Sequence, residues 1–428
     1  MEKILSSILL FLSQQYLKRY EPNIVAITGN VGKTSTKEAI GTVLSKKRHI
    51  RVSAGNLNNQ LGLPLTILGD WGDRYYTQGS SLGFWLSVLW KGFFGLIKRI
   101  NYPEILVLEY GADRPGDIKR LAKHFKPHVA VVTEISKVPV HVEYFDSPEG
   151  VALEKSKILE ALGPGDYAVL NKDDDWVWLM KDKTQAHVVT FGFDEKSDIR
   201  VSDYGYWSEG LEPKGIRFRI NQGEESLEVQ LSGSLGKSQA MASAAAASVG
   251  LIFGLSLPDI VETLRHHHGP QGRLRILRGV KVTWILDDTY NASPASTKLA
   301  LETLKGLPGM RKIAVLGDML ELGEYTEMAH REMGEMASSI ADILVCVGSR
   351  SRFMFETAQR VLPQSHIYSF ATSQEARLKV QEIILPGDVV LIKGSQGMRM
   401  EKIVEEIMAE PEKKNELLVR QSKSWIKK

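Results

Sequence analysis

Short apolar runs separated by polar, helix-forming stretches dominate the chain from residue 24 onward. Ile24–Thr28, Ile105–Leu108 and Val129–Thr133 have the length and composition of buried central strands. Helical patterns over Thr34–Lys46 and Asp117–His124 separate them. Alternation of this kind predicts a mainly parallel sheet with helices on both faces.

Two further regions extend this pattern. Segments 188–220 and Ser226–Leu231 alternate apolar and polar residues and contain glycine, which predicts antiparallel strands at the flank of the sheet. A second α/β series begins near residue 280, and its members are strands at Val282–Leu286, Lys312–Leu316, Ile343–Val347 and Val389–Ile392 and helices at Ser296–Leu304 and Thr326–Ser339. We therefore predict an α/β protein in three parts: an N-terminal amphipathic helix (1–22), a central domain (23–277) and a Rossmann-like C-terminal domain (278–428).

Composition narrows the possible partners and the compartment. At 428 residues the chain exceeds one ordinary core, and its 54 Lys and Arg nearly balance its 51 Asp and Glu, so we expect no nucleic-acid partner. The single cysteine, Cys346, excludes an internal disulfide framework and favours a reducing, cytoplasmic location. Because it lies in an apolar run, it is expected to be a buried strand thiol.

A glycine-containing turn joins the first strand to the first helix of the central domain. Glycines let backbone N–H groups approach a phosphate, Lys33 would reach the β- and γ-phosphates, and the Thr34 hydroxyl would ligate Mg²⁺. The full Walker spacing requires a glycine where this chain has Ile27, so the loop is a shortened variant. The alternative is an ordinary turn with a chance Gly-Lys-Thr. The predicted nucleotide-binding residues of the loop are Gly29, Asn30, Val31, Gly32, Lys33, Thr34 and Ser35.

Several segments in a fixed order resemble the Mur ligases, whose superfamily includes folylpolyglutamate synthase. They are the loop itself, Gly55–Pro64, Leu108–Ala112, Leu286–Pro294, Leu316–Gly323 and Lys393–Arg399. Together they are most similar to the branch of that family that adds D-alanyl-D-alanine. The resemblance implies a phosphate-loop (P-loop) central domain that binds ATP and Mg²⁺. It also implies an acyl phosphate reaction between a peptide-carboxylate acceptor and an amino acid or dipeptide amine donor.

The resemblance also implies roles for residues outside the loop. Glu109, His141 and a carbamylated Lys155 would ligate Mg²⁺ with Thr34, although Lys157 is a rival for the lysine position. Arg273 would touch the γ-phosphate, and the expected catalytic residues are Lys33, Lys155, His141 and Arg273. Asp288 and Asn291 would contact the ribose and base, together with Gln239, which stands where the family has an asparagine. Lys393–Arg399 either positions the amine or is a glycine-rich turn.

The chain also departs from the family pattern. Only 23 residues precede the first strand, so we expect the N-terminal domain that grips the uridine-diphosphate sugar to be missing. Glu134 stands where the family tends to have asparagine. Segment 70–101 is inserted between two family segments, and its apolar run ends in Lys98 and Arg99.

Two interpretations of the insert stay open. It is either an interfacial helix that makes peripheral membrane contact through residues 82–100, at the inner face of the membrane, or a helix packed on the protein or in a dimer. Two other functions also stay open: an amide ligase of the polyglutamylating type with a non-nucleotide, lipid-linked acceptor, and a nucleotide-binding scaffold without activity. The oligomeric state is not predicted.

Overall fold

The computed structural model describes residues 2–55, 57–79, 81–139, 141–422 and 425. Two sheets organise the chain, one of nine strands and one of six. The predicted α/β class, with a phosphate-loop domain followed by a second α/β domain, is confirmed.

The first sheet has the order β2-β3-β1-β4-β5-β6-β7-β8-β9. Its strands are β1 (Asn23–Thr28), β2 (Ile50–Val52), β3 (Ile105–Glu109), β4 (Val129–Val132), β5 (Tyr167–Asn171), β6 (His187–Gly192), β7 (Ile199–Glu209), β8 (Glu212–Gln222) and β9 (Glu225–Ser232). Strands β1 to β6 pair in parallel, β7 also pairs in parallel with β6, and β8 and β9 continue the sheet antiparallel to their neighbours. The antiparallel flank therefore begins at β7. The prediction that it begins at residue 188 was wrong, because β6 continues the parallel sheet.

Ten helices accompany this sheet in the part of the chain that the structure describes. They are α1 (Glu2–Tyr20), α2 (Lys33–Ser45), α3 (Gly62–Leu68), α4 (Gly72–Gln78), α5 (Leu82–Ile97), α6 (Asp117–His124), α7 (Pro148–Glu160), α8 (Asp175–Leu179), α9 (Lys237–Ile252) and α10 (Leu257–Leu264). The alanine-rich α9 packs closely on α2, where a Cβ at Gly250 would lie 2.9 Å from Val43. Small side chains let the two helices approach and fix α2 behind the sheet.

The second sheet has the order β10-β11-β15-β12-β13-β14. Its strands and helices are β10 (Arg275–Gly279), β11 (Thr283–Asp288), α11 (Pro294–Gly306), β12 (Lys312–Gly317), α12 (Thr326–Ile340), β13 (Ile343–Val347), α13 (Arg352–Ala358), β14 (Ile367–Phe370), α14 (Ser373–Ile383), β15 (Val389–Lys393), α15 (Glu401–Ile407) and α16 (Lys414–Leu417). Strand β10 pairs antiparallel with β11, so the second sheet begins at Arg275, close to the predicted division after residue 277. Cys346 in β13 is fully buried, as predicted.

Helices α1 and α5 pack against each other at one side of the first sheet. The Tyr16 hydroxyl donates to the Lys91 carbonyl (3.1 Å), and the Tyr20 hydroxyl donates to the Gly95 carbonyl (2.6 Å). A Cβ at Gly95 would lie 1.9 Å from the Tyr16 hydroxyl, so only glycine permits this approach. Among the described helices, none has the length and apolar character needed to cross a bilayer.

Candidate functional site

The loop between β1 and α2 is held open by its glycines and by the neighbouring strand end. Gly29 and Gly32 have φ angles of 141° and 87°, and a Cβ at Gly29 would lie 2.0 Å from Thr133 Oγ1. The Asn30 N–H donates to the Glu134 carbonyl (2.6 Å), and the Thr133 hydroxyl donates to the Val31 carbonyl (2.7 Å). These contacts preset a cradle at a helix N-terminus, which is the ordinary form of a phosphate site.

Lys33 folds back over this cradle. Its Nζ donates to the Gly29 carbonyl (2.8 Å) and more weakly to the Asn30 carbonyl (3.4 Å). Burial lowers the pKa of Lys33, and the Glu109 carboxylate partly offsets that effect. The ammonium thus lies over the loop, where an incoming phosphate provides the charge partner that the backbone carbonyls lack.

A buried carboxylate faces the start of α2. Glu109 ends β3 and is 4% exposed, and its Oε2 accepts from the Thr34 hydroxyl at 3.2 Å. Its Oε1 accepts from Asn58 Nδ2 at 3.3 Å. A hydroxyl and a carboxylate are hard oxygen donors that suit Mg²⁺ when phosphate oxygens complete the coordination. Asn58 was not among the predicted site residues, although it lies in one of the family-like segments.

No group of three or more His, Cys, Asp and Glu side chains is arranged to hold a metal by itself within the described ranges. A magnesium ion at Thr34 and Glu109 would therefore depend on nucleotide oxygens. This fits a metal that binds together with ATP, because Mg²⁺ is commonly held by one or two protein groups and the substrate phosphates.

His141 links the two domains at the rim of the same site. It has a left-handed backbone (φ 70°), and its Nδ1 lies 2.7 Å from Glu321 Oε2 in the C-terminal domain. Its Nε2 lies 3.7 Å from Asp113 Oδ1. The contact with His141 holds the pKa of Glu321 below its usual range. In this state His141 is engaged by carboxylates from both domains.

The structure distinguishes between Lys155 and Lys157, the two candidates for the lysine of the site. Lys155 is 2% exposed and lines the cavity beside Lys33, whereas Lys157 pairs with Glu160 (2.7 Å) on the outer face of α7. Burial, reinforced by the charge of Lys33, lowers the pKa of Lys155 to about 7. A large neutral fraction follows near neutral pH, and the neutral amine is the form that can add carbon dioxide to give a carbamate.

The junction between the domains contributes Arg273 to the cavity, and the second domain contributes Tyr290 and Asn291. The Arg273 guanidinium lies 4.1 Å from the centre of the Tyr290 ring, which fixes its direction. Asn291 Oδ1 accepts from the Gln396 N–H at 3.3 Å. Ser395, Gln396 and Gly397 line the cavity, so part of segment 393–399 faces the site.

Two predicted contacts take a different form. Gln239 is buried behind the loop, where its Nε2 donates to the Arg273 carbonyl (3.0 Å) and to Ser35 Oγ (3.4 Å). The Gln239 amide nitrogen therefore serves the protein in this structure, and the contact between Gln239 and the base stays a prediction. Asp288 is tied to buried Lys393 by a 2.6 Å ion pair and borders a small cavity with Ser35 and Arg273.

Most of these groups converge on one cavity of about 370 Å³ between the two domains, which we call the nucleotide cavity. Gly29, Ser35, Gln239 and Asp288 lie outside its lining. Its lining includes residues 30–34, Asn58, Glu109, Asp113, His141, Lys155, Arg273, Tyr290, Asn291, Glu321 and residues 395–397. A phosphate cradle, a buried metal-type carboxylate and converging cationic side chains define a nucleotide-dependent phosphoryl-transfer enzyme.

Comparison with known proteins gives the particular family. The model of the Mur ligase middle domain matches residues 96–247, and the model of the Mur ligase glutamate ligase domain matches residues 272–396. The chain is 28% identical over 402 residues to the UDP-N-acetylmuramoyl-tripeptide–D-alanyl-D-alanine ligase of Bacillus subtilis, covering 94% of this chain and 79% of that protein.

Solved structures agree with this assignment. The MurF ligase of Thermotoga maritima in complex with ADP superposes with a TM-score of 0.77 and 28% identity, covering 96% of this chain and 84% of that one. Mycobacterium tuberculosis folylpolyglutamate synthase shares the fold, with a TM-score of 0.65 at 15% identity over 95% of this chain and 97% of that one. The chain belongs to the Mur ligase family, whose members are ATP-dependent, Mg²⁺-using ligases that form C–N bonds.

Proposed function

We propose that this enzyme joins D-alanyl-D-alanine to the terminal carboxylate of a cell-wall peptide precursor, at the expense of ATP. Support comes from a relative that carries that activity in its name and matches 94% of this chain. The observation that carries the proposal is the convergence of Lys33, Glu109, Lys155 and Arg273 on one cavity. A scaffold that only binds nucleotide has no need for that set of groups.

The side chains divide the work of phosphoryl transfer between two domains. Lys33 and Arg273 neutralise charge on the transferred phosphoryl group while the acceptor carboxylate attacks it. Thr34 and Glu109 would hold Mg²⁺, which when bound polarises the phosphate oxygens and shields them from the anionic acceptor. The amine then attacks the acyl carbon of the acyl phosphate, inorganic phosphate leaves, and the amide forms.

Lys155 and His141 would also take part in the reaction. As a carbamate, Lys155 would present oxygens to the cavity, and it would no longer place a second ammonium beside Lys33. His141 would turn from Glu321 to a second metal when the substrates bind. Because its present partner lies in the C-terminal domain, this change would accompany a movement of the two domains.

Product analysis across matched substrates tests this function. Amide product and phosphate release are measured with D-alanyl-D-alanine, D-alanine or glutamate as the amine and with several peptide carboxylates as acceptors. We expect one amide per phosphate released, and the fastest turnover with the dipeptide. Turnover with glutamate alone would favour the polyglutamylating alternative, and ATP binding without any product would favour the scaffold.

We also propose peripheral membrane contact through residues 82–100. One face of α5 packs on the protein through Phe84, Val88 and two glycines, as one of the two interpretations expects. The opposite face exposes Trp90 (73%), Leu82 and Ile97, and Lys98 and Arg99 follow it. This combination is typical of helices that lie in the interface of an anionic bilayer. Sedimentation with anionic and with neutral vesicles tests this contact. If the fraction of protein in the pellet is the same with and without vesicles, the proposal is overturned.

A further inference from the structure

A second and wider cavity, of about 760 Å³, lies between α1 and α6. Ser6, Ser7 and Leu10 of α1 form one wall, and the facing wall comes from α6 and the residues beside it. Gln14 Nε2 and His124 Nδ1, 3.1 Å apart, tie the two helices together. We call this space the α1–α6 cavity.

The α1–α6 cavity adjoins the nucleotide cavity. Asn58, Asn59, Gly111 and Asp113 line both spaces. Asn58 also donates to Glu109, the proposed magnesium ligand. A carboxylate that enters at Asn58 from the α1–α6 cavity therefore arrives beside the transferred phosphoryl group, which is the position that an acceptor requires.

At its other end the α1–α6 cavity meets an apolar surface. Ser7 lines the cavity and also belongs to a shallow patch formed with Ile4, Ile8 and Phe11, of which Ile4 is 68% exposed. Helix α5, which packs on α1, exposes a second set of large apolar side chains. The α1–α5 surface, as we define it, consists of Ile4, Ile8, Phe11, Leu82, Leu86, Trp90, Phe93, Phe94 and Ile97.

Charged side chains of both signs line the α1–α6 cavity, including the Asp113 and Asp117 carboxylates, and an anion would bind at its arginines. Exposed Arg114 and Arg120 line the α1–α6 cavity. The Asp117 carboxylate is partly committed, because it accepts from the Asp113 and Arg114 N–H groups and lies 3.9 Å from Arg120. Guanidinium groups bind phosphate and carboxylate oxygens with several donors at once.

We propose that the α1–α6 cavity binds the acceptor, and that the acceptor is an amphiphile presented by an anionic bilayer. Its apolar chain stays in the bilayer below the α1–α5 surface, its anionic linker lies at Arg114 and Arg120, and its terminal carboxylate reaches Asn58. That carboxylate forms a bond to the γ-phosphorus as the bond to ADP breaks. The amine then attacks the acyl carbon, phosphate leaves, and the ammonium proton is lost to solvent. The proposal rests on the ligase function above.

One peptide on three carriers tests this acceptor class. The peptide is supplied free, linked to a soluble uridine-diphosphate sugar, or linked to a long-chain alkyl diphosphate in anionic vesicles, and amide formation is measured. We expect kcat/KM to be at least about tenfold higher for the vesicle-held form. Equal or better turnover of the nucleotide-linked form would overturn the proposal and leave the ligase function intact. No amide with any carrier would overturn the ligase function itself.

Variants of α1 and of the cavity arginines test where the vesicle-held acceptor is recognised. Ile8→Ser with Phe11→Ser should lower kcat/KM about tenfold for the vesicle-held acceptor only. Arg114→Ala with Arg120→Ala should lower it for both diphosphate-linked carriers but not for the free peptide. Met310→Ser, at an exposed apolar residue of the other domain, is the matched control and should change nothing. A uniform loss with all carriers in the α1 variant would also overturn the proposal.

Thiol labelling adds a readout that is independent of activity. Cys346 is buried, so Ser6→Cys adds an accessible thiol on the cavity wall, and Ser365→Cys gives an exposed control elsewhere. The vesicle-held acceptor should slow maleimide labelling at residue 6 at least fivefold relative to empty vesicles of the same lipid, and leave residue 365 unchanged. Equal labelling rates at residue 6 with loaded and empty vesicles would contradict binding in this cavity.

Discussion

The nucleotide cavity and the α1–α5 surface distribute charged and apolar groups in opposite ways. In the cavity, Lys155 and Glu109 are almost completely buried, whereas on the surface Trp90 and Ile4 lie mostly in solvent. Burying charge and exposing large apolar groups both cost stability in a protein that works alone in water. In each region a bound partner would offset this cost. The partner is a nucleotide with its metal in the cavity, and an apolar phase at the surface.

The two lysines of α7 provide the strongest test of the cavity side of this comparison. Lys155→Met should lower turnover by about 10³-fold, because it removes a group that faces the phosphoryl site. Lys157→Met changes the same residue type two positions away and should stay within about twofold, since that side chain pairs with Glu160 outside the cavity. Steady-state phosphate release measures both, and similar losses in the two variants would contradict the assignment.

The Lys393–Asp288 pair tests what buried charge costs when its partner is removed. Lys393→Met leaves the Asp288 carboxylate buried without its 2.6 Å partner, so we expect the free energy of unfolding to fall by about 3 kcal/mol. Lys414→Met breaks the pair with Glu405, which lies at the surface, and should cost less than about 1 kcal/mol. Urea denaturation compares the two variants, and equal costs would show that burial does not set the difference.

Substitutions on the α1–α5 surface should affect vesicle binding and not nucleotide binding. Trp90→Ser and Phe93→Ser should each weaken binding to anionic vesicles by about tenfold, because each removes an aromatic side chain from the apolar contact. ATP affinity should not change, since both residues lie outside the nucleotide cavity. Flotation assays and nucleotide titration give the two readouts. A parallel loss of ATP affinity would mean that these side chains support the fold of the enzyme and not a membrane contact.

Glu134 offers the smallest and most pH-dependent effect. Burial, with a contribution from Asp174, raises the pKa of Glu134 to about 7, so the folded carboxyl keeps a proton that the unfolded one loses near pH 4.5. Its stabilising contribution is present below pH 4.5 and is lost as the pH rises through 7. As the pH is raised from 5 to 8, the free energy of unfolding of Glu134→Gln should therefore rise by about 1–2 kcal/mol relative to that of the wild type. Urea denaturation at both values checks this, and a pH-independent difference would contradict it.

Much of the fold could be predicted because the signals are local. The apolar runs that became β1, β3 and β4 have the length of central strands, and the predicted bounds of α6 agree with those of the structure. An error arose where the pairing partner is remote. The sequence of β6 resembles the flank that follows it, yet β6 pairs in parallel with β5.

The candidate site shows the same division between local and remote information. The loop residues could be assigned from spacing, because their conformation depends on two nearby glycines. Gln239 could not be placed, because its hydrogen bonds go to residues that are 204 and 34 positions away. Asn58 and Glu321 were not predicted, although both lie in segments that resemble the family, because a single side chain gives no sign of the partner it will meet.

By itself, the sequence determined the alternation of helices and strands, the phosphate loop, the family and the apolar character of α5. Each of these follows from residue type and short-range spacing, which backbone geometry converts into local structure. Tertiary structure decided that Lys155, and not Lys157, lines the nucleotide cavity, that His141 contacts the other domain, and that α1 and α6 enclose a cavity beside the site. These depend on packing between elements far apart in the chain, where the direction of a side chain is fixed only when its neighbours are in place.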